Sequence, residues 1–274
     1  MSPKKLADFD FDAGEILLFD KPLTWSSFDG VRKVKNALRI GKIGHAGTLD
    51  PLATGLLILC TGKKTKEIDQ IQAQEKEYTG TFRLGETTPS FDRETAVDAT
   101  LPHAHLTDDE IRAAARQFVG PIQQTPPLFS AVKIDGRRAY ELARKGQAAE
   151  IKAKSVEIKI FELTRIALPD VDFRVVCSKG TYIRSLARDL GAALGCGAHL
   201  TALRRTRIGE FRVEDALTLE AVQALAPPRP EGAADARPRR ETRRPARAGL
   251  DFYASQQAAG APAGPVPPRT PESV

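Results

Sequence analysis

Hydrophobic and polar positions along the first part of the chain predict both strands and helices. Apolar runs at 15–19 and 56–60 predict buried strands, and alternation over 78–84 predicts a third. Apolar Phe28, Val31, Val34 and Leu38 recur at helical spacing with basic residues between them, so a helix is predicted over 26–38. A further helix is predicted over 63–73.

The second part of the chain continues this mixture. Thr107 and Glu110 form a capping box for a helix over 107–119, which Gly120-Pro121 ends. The remaining predictions are a loop at 123–128, a strand at 129–134, a helix at 138–145, strands at 151–167 and 171–177 around a turn at Pro169-Asp170, a helix at 181–194, a basic strand at 200–211 and a short helix at 218–225. Adjacent strands with antiparallel spacing favour an α+β domain over a regular βαβ array.

The chain changes character after residue 225. The last 49 residues, 226–274, hold ten of the nineteen prolines, eight arginines, five acids and few large apolar side chains. Such a segment cannot bury enough apolar surface to fold. We therefore expect one folded domain over 1–225, followed by a disordered Arg/Pro-rich tail.

Composition excludes several classes of protein. The net charge of +6 agrees with a polyanionic partner, although the tail supplies half of it. No apolar run approaches the roughly 18 residues that span a bilayer, and no signal peptide is evident, so we expect a cytoplasmic protein. Three cysteines without a CxxC pair predict neither disulfides nor a metal site. His103 and His105 could share a metal but lack a third ligand nearby.

Two segments contain residues suited to chemistry. The segment 44–55 reads Gly-His-Ala-Gly-Thr-Leu-Asp-Pro-Leu-Ala-Thr-Gly, and Pro51 biases Asp50 toward an extended backbone that can project its carboxylate. Alternatively, Asp50 caps a helix that begins at Pro51. In 177–184 a strand ends and a helix begins, with Arg184 in its first turn. The helix dipole disfavours a cation there, so Arg184 either meets a carboxylate or lies on the surface.

Together these segments resemble the TruB-type pseudouridine synthases. The resemblance spans about 14–212 and continues in segments 14–22, 77–78, 124–131 and 197–205. It implies the pseudouridine-synthase fold, a mixed and largely antiparallel sheet flanked by helices, with a thumb-like insertion at about 122–150. It also implies isomerisation of uridine to pseudouridine in the T-loop of tRNA, at the position conventionally numbered 55. The base must be flipped out of the folded RNA for this.

The resemblance assigns roles to individual residues. Asp50 is the catalytic nucleophile, Arg184 pairs with it, and Tyr78 stacks on the uracil or transfers a proton. The positions implied to bind or surround the substrate are His45, Tyr182, Leu203 and Lys21, the last as support beside the active site. The reaction is redox-neutral, so neither a cofactor nor a metal is expected. The sequence leaves open whether the carboxylate attacks C6 of the base or acts at the ribose.

Basic residues are expected to contact the RNA backbone. Lys133, Arg137 and Arg138 lie in the thumb-like insertion, as do Arg144 and Lys145. A second strip predicted to face phosphates contains Arg204, Arg205, Arg207 and Arg212. We expect tRNA as the partner of a monomer that needs no protein subunit and no membrane.

Two departures from the family pattern, and three alternatives, remain. Thr24 stands where the family often has glycine, and Thr88-Pro89-Ser90-Phe91-Asp92 replaces a Thr-Asp-Thr-x-Asp pattern. Both are expected to affect RNA contacts rather than the reaction.

The alternative functions are an RNA-guided synthase, a tRNA-folding chaperone and a metal-dependent hydrolase, of which the last has little support.

Overall fold

A computed structural model describes residues 8–130, 132–134, 137–139 and 151–226. The α-helices are α1 Ser27–Ala37, α2 Ile68–Ala73, α3 Asp108–Arg116, α4 Ile183–Ala193 and α5 Leu219–Ala224. The longer strands are β1 Ile16–Lys21, β2 Ile43–Ala46, β3 Ala53–Thr61, β4 Lys76–Leu84, β7 Gly120–Gln124, β10 Lys154–Ala167, β11 Asp170–Cys177 and β12 Ala198–Ile208. Two-residue strands are β5 Glu86–Thr87, β6 Ala99–Thr100, β8 Lys133–Ile134, β9 Arg137–Arg138 and β13 Phe211–Arg212. The segment 227–274, predicted to be a tail, and most of the helix predicted over 138–145 lie outside these residues.

One mixed sheet organises the domain. Its strands follow the order β1-β3-β12-β4-β11-β10-β7, with β2 beside β3 and β13 beside β12. The pair β12–β3 is parallel and the other ladders are antiparallel. Gly55 permits the parallel contact, because a Cβ there would lie 2.3 Å from the carbonyl oxygen of Arg205. The predicted α+β class with a largely antiparallel sheet is confirmed.

Three apolar clusters pack against this sheet. The largest joins strands β4, β10 and β11 to helices α3 and α4, and includes Phe82, Phe173 and Leu186. A second cluster holds α1 and α5 against β1 and β3, and a third holds α2 against the opposite side of β3. Because residues 56–59 of β3 are entirely buried, this strand lies between two cores. Such a strand gives a rigid base to the loop that precedes it.

Some of the helices, caps and loops predicted from the sequence are confirmed, and others are wrong or shifted. The helix predicted after Thr107 begins there with a complete capping box, and 170–177 pairs with 154–167. The alternative in which Asp50 caps a helix is wrong, because Pro51 and Leu52 form a turn that leads into β3. The predicted helix over 63–73 begins as a 3-10 helix, Gly62–Glu67. The loop predicted at 123–128 starts two residues later, since β7 runs to Gln124.

Two residues near α1 differ from expectation. Phe28, grouped by the sequence pattern with the apolar positions, is 68% exposed, while Val31 and Val34 are buried. Thr24 has φ of 71°, in the left-handed region that favours glycine, so this departure from the family pattern leaves a β-branched residue in a strained backbone. Its amide still donates to the carbonyl oxygen of Pro51 at 2.9 Å.

Candidate active site

The loop between β2 and β3 carries Asp50 and is held from several directions. Ser27, at the start of α1, accepts a hydrogen bond from the amide of Leu49 at 2.8 Å and donates to its carbonyl oxygen at 3.1 Å. Gly47 has φ of +88°, so glycine is needed at the turn into the loop. Residues 47–50, called here the nucleophile loop after the role expected of Asp50 from the sequence, are therefore held through Leu49, the residue that precedes Asp50.

Arg205 stabilises the nucleophile loop from inside the protein. Its guanidinium, only 1% exposed, donates to the carbonyl oxygens of Leu56 at 2.8 Å, Gly47 at 3.1 Å and Thr48 at 3.3 Å. Arg205 lies opposite Tyr78 in the ladder between β12 and β4. A buried cation that satisfies three backbone acceptors fixes the backbone geometry on both sides of Asp50.

Lys21 stabilises the chain just after the nucleophile loop, at Pro51. Its ammonium is fully buried and donates to the carbonyl oxygens of Trp25 at 2.7 Å, Pro22 at 3.0 Å and Pro51 at 3.5 Å. Burial lowers the pKa of Lys21 to about 8, although the charge of Asp50 opposes this shift. Lys21 does not line the cavity described below. Its hydrogen bonds instead stabilise the turn at Pro51.

The carboxylate of Asp50 meets the guanidinium of Arg184. Nε of Arg184 lies 2.9 Å from Oδ2 of Asp50, and the side chain of Asp50 is 40% exposed against 4% for Arg184. Nη1 and Nη2 of Arg184 donate to the carbonyl oxygens of Ser90 at 3.2 Å and Phe129 at 2.9 Å. The arginine is thereby fixed inside the protein while the carboxylate still faces open space.

A second carboxylate, Asp92, lies behind the same arginine. Its Oδ2 is 3.6 Å from Nε of Arg184, and its side chain is 6% exposed. Burial raises the pKa of Asp92, and Arg184 partly counters this. Burial also opposes the charge on Arg184, but Asp50 and Asp92 outweigh burial and raise its pKa. Arg184 thus remains a cation with a carboxylate on each side.

Asp50 opens into a cavity of about 720 Å³ between the nucleophile loop, β4 and the start of α4. Six residues selected from the sequence line it, namely Asp50, Tyr78, Tyr182, Arg184, Leu203 and Arg205, the last of which was expected to face RNA phosphates. Burial raises the pKa of Tyr78, so its phenol stays neutral near pH 7. Gln124 holds Tyr182 at both backbone groups, accepting from its amide at 2.8 Å and donating to its carbonyl at 3.2 Å.

His45 lies on β2, before the nucleophile loop, and is half-buried. Burial, followed by the nearby charge of Arg205, lowers its pKa, so the imidazole is neutral at physiological pH. It is not among the residues that line the cavity in the described part of the chain. The structure therefore places His45 on the strand that leads into the loop carrying Asp50, outside the cavity lining.

Known families match most of the chain. A model of the TruB family pseudouridylate synthase N-terminal domain matches residues 35–183, and a model of the tRNA pseudouridylate synthase B C-terminal domain matches 184–235. The chain belongs to the TruB family. It is an enzyme of the pseudouridine synthase class, as its sequence predicted.

Relatives named tRNA pseudouridine synthase B are similar to this chain over nearly their whole length. The tRNA pseudouridine synthase B of Flavobacterium johnsoniae is 57% identical over 213 residues, which are 75% of this chain and 93% of that protein. The protein of the same name from Phocaeicola vulgatus is 55% identical over 218 residues, 77% of this chain and 93% of that protein.

Solved structures of similar fold include complexes that contain Cbf5. A Cbf5-Nop10-Gar1 complex matches with a TM-score of 0.61 and 32% identity, over 79% of this chain and 55% of that chain. An archaeal box H/ACA sRNP Nop10-Cbf5 complex matches with a TM-score of 0.59 and 28% identity, over 80% of this chain and 55% of that chain. This chain thus spans about half of those structural neighbours.

The structure corrects one of the residues predicted to contact RNA phosphates. Arg205 is not on the surface, because its guanidinium is used by three carbonyl oxygens inside the protein. Its neighbour Arg204 points the other way and forms a bidentate pair with Asp20 at 2.6 and 3.0 Å. Lys133, Arg137 and Arg138 lie on the β8–β9 hairpin, and their side chains are outside the described part of the chain.

The described ranges contain no group of three or more His, Cys, Asp or Glu residues arranged to hold a metal ion. The same ranges contain no helix that is long and apolar enough to cross a membrane.

Four residues of the site were missed or misread in the sequence. They are Ser27, Asp92, Gln124 and Arg205, all buried and all joined to the residues that surround Asp50. Asp92 lay in a segment interpreted as a departure affecting RNA contacts, whereas Ser90 and Asp92 both contact Arg184. Ser27 lies between Ser26 and Phe28, and no local pattern there identifies a partner 22 residues away.

Proposed function

We propose that this chain converts a uridine of tRNA to pseudouridine, with Asp50 as the nucleophile. The proposed target is the T-loop uridine conventionally numbered 55. The observation that carries the proposal is the half-exposed Asp50 carboxylate, which faces a cavity of about 720 Å³ while a buried arginine holds it at 2.9 Å. The tRNA substrate is supported by relatives at 55–57% identity that are named tRNA pseudouridine synthase B.

The chemistry requires a nucleophile that attaches and detaches without other reagents. The N-glycosidic bond of uridine breaks, C1′ of the ribose rejoins the base at C5, the C5 proton is lost and N1 takes up a proton. A carboxylate can attack C6 of the base or act at the ribose, and Asp50 suits either course. Arg184 orients the carboxylate and balances its charge, which preorganises the nucleophile before the substrate arrives.

Tyr78 is positioned to act on the base. Its neutral phenol lies on the cavity wall beside Arg205, and the charge of Arg205 opposes the burial that raises the phenol pKa. The ring offers a flat apolar face for the uracil, and the hydroxyl can donate or accept a proton. Tyr182 and Leu203 line the same cavity and complete an enclosure for one base.

The substrate uridine enters this cavity by leaving the stack of the folded RNA. A base inside a T-loop cannot reach a carboxylate that lies in a cavity, so flipping must precede the reaction. Flipping costs a few kcal/mol, which contacts to the surrounding RNA must offset. We place the enzyme in the cytoplasm as a monomer that needs no cofactor and no protein partner.

A guide-free assay tests this proposal. Purified protein is mixed with a tRNA transcript labelled with tritium at C5 of uridine, without metal or guide RNA, and tritium release is followed. The matched control is the same transcript with cytidine at the T-loop target. Release from the first transcript alone supports the proposal. No release from either transcript, or release from both, contradicts the assigned site, and activity that needs an added guide RNA favours a guided enzyme.

A further inference from the structure

Phe28 is exposed in a way that packing alone does not explain. It has 68% of its surface in water, the largest exposed fraction of any large apolar side chain in the described part of the chain. The capping box between Ser26 and Asp29 fixes the start of α1, and the burial of Val31 and Val34 fixes its rotation. Phe28 therefore cannot turn into the core without undoing the helix contacts.

Basic residues lie on the same side of α1 as Phe28. At 100° per residue, Arg32 and Lys35 fall within about 60° of Phe28 around the helix axis. Both are exposed, and Arg32 makes only a partly exposed contact to Asp29 at 3.3 Å. Phe28, Arg32 and Lys35, called here the α1 stripe, run for about 10 Å along the helix.

The segment that contains the α1 stripe is strongly basic. Residues 27–42 contain one acid, Asp29, and five basic residues, Arg32, Lys33, Lys35, Arg39 and Lys42. Their net charge of +4 compares with +6 for all 274 residues. An aromatic ring beside clustered cations is the composition that binds single-stranded RNA, since the ring stacks on a base and the cations neutralise phosphates.

The α1 stripe starts at the nucleophile loop. Ser27 bonds to both backbone groups of Leu49, and Asp50 follows Leu49 directly. Phe28 directly follows Ser27, whose hydrogen bonds to Leu49 hold the loop that carries Asp50. The N-terminal end of α1 therefore lies next to the loop that carries Asp50.

We propose that the α1 stripe binds the RNA strand next to the flipped uridine, with Phe28 stacked on an unpaired base and Arg32 and Lys35 on phosphates. This inference rests on the proposed function, which supplies RNA as the substrate. A protein partner is disfavoured, because Phe28 is flanked by cations rather than by the contiguous apolar surface of a protein interface. The role differs from that of Arg184 and Arg205, which use their charge inside the protein.

Binding to a single tRNA transcript tests the role of the ring. The background is Asp50→Asn, so that turnover does not disturb the dissociation constant. Phe28→Ala is expected to weaken binding at least fivefold, since base stacking on an aromatic side chain supplies that much or more. Phe28→Trp should bind like the parent, and Phe28→Leu, which is apolar but lacks the ring, should behave like Phe28→Ala. Unchanged affinity in Phe28→Ala, or parental affinity in Phe28→Leu, overturns the stacking role.

Salt dependence tests the role of the cations. Replacing Arg32 and Lys35 by Gln together should reduce the slope of log Kd against log salt by about 1.5. Arg116→Gln removes one exposed charge from α3 and serves as the control, with a smaller change expected. Equal slopes in the parent and the double variant, or an equal change in the control, overturn the phosphate contacts. Turnover of the wild-type protein is measured separately, so failure of the proposed function is distinguished from failure of the α1 stripe.

Discussion

The buried cations around the nucleophile loop and the exposed cations of α1 use their charge in different ways. In the buried, inner set, Lys21, Arg184 and Arg205 are between 0% and 3% exposed, and their donors are directed at backbone carbonyl oxygens and at Asp50. In the outer set, on α1, Arg32 and Lys35 are exposed to solvent. The inner set fixes geometry, since an unpaired buried partner is costly, whereas the outer set is screened by salt and available to a ligand.

The largest expected effect follows from removing the centre of the inner set. Arg184→Met leaves Asp92 buried without a cation and frees the carbonyl oxygens of Ser90 and Phe129. We expect a loss of about 3–5 kcal/mol in the free energy of unfolding, measured by urea denaturation. Activity should fall with it, because Asp50 loses its orienting partner. Adding Asp92→Asn should recover part of the stability but none of the activity.

Two neighbouring arginines on β12 give a matched pair. Arg205→Met leaves three carbonyl oxygens without their donor and should cost roughly 2–3 kcal/mol. Arg204→Met removes only a half-exposed pair with Asp20 and should cost less than about 1 kcal/mol. In single-turnover assays the rate constant should fall for Arg205→Met far more than for Arg204→Met. Equal losses in both variants would show that burial does not distinguish the two cations.

The buried ammonium of Lys21 makes the free energy of unfolding depend on pH. Its pKa is about 8 in the folded protein and 10.5 in the unfolded chain, so the unfolded state binds more protons between these values. The cost of burying its charge is fully present below pH 8 and is relieved as the pH rises. Between pH 8 and 9, the free energy of unfolding of the wild type should gain about 1 kcal/mol relative to Lys21→Met. A difference that stays constant or shrinks over this interval would contradict the assignment.

The smallest effect on stability belongs to the outer set. Arg32→Gln removes an exposed contact to Asp29 and should change the free energy of unfolding by about 0.5 kcal/mol or less. The change should vanish in 1 M salt, since screening already weakens the pair. A loss comparable to that of Arg205→Met would remove the distinction between the two sets of cations.

Local patterns left the central pair of the site open. Pro51 after Asp50 was compatible with a projecting carboxylate or a helix cap, and the cation in the first turn of α4 with a carboxylate partner or a surface position. The resemblance to the TruB family paired Asp50 with Arg184. The structure brings these two residues to 2.9 Å across 134 positions of sequence. The α+β class followed from the mixture of strand and helix periods.

The remaining features depend on tertiary packing. Strand alternation separates Arg204 from Arg205, but it does not indicate which side of β12 is buried. The parallel pairing of β12 with β3 places Arg205 beneath the nucleophile loop, and no local pattern encodes that pairing. Phe28 was misassigned because it lies at the edge of the apolar sector of α1, where helical spacing alone cannot separate buried from exposed positions.

The most direct test of the central claim concerns Asp50. Wild type and Asp50→Asn are each saturated with tritium-labelled tRNA, and tritium release in a single turnover is measured together with the dissociation constant. The account predicts release by the wild type, no detectable release by Asp50→Asn, and dissociation constants that agree within a few-fold. Release by Asp50→Asn at a rate near that of the wild type would show that another group forms the bond to the substrate, and would contradict the account.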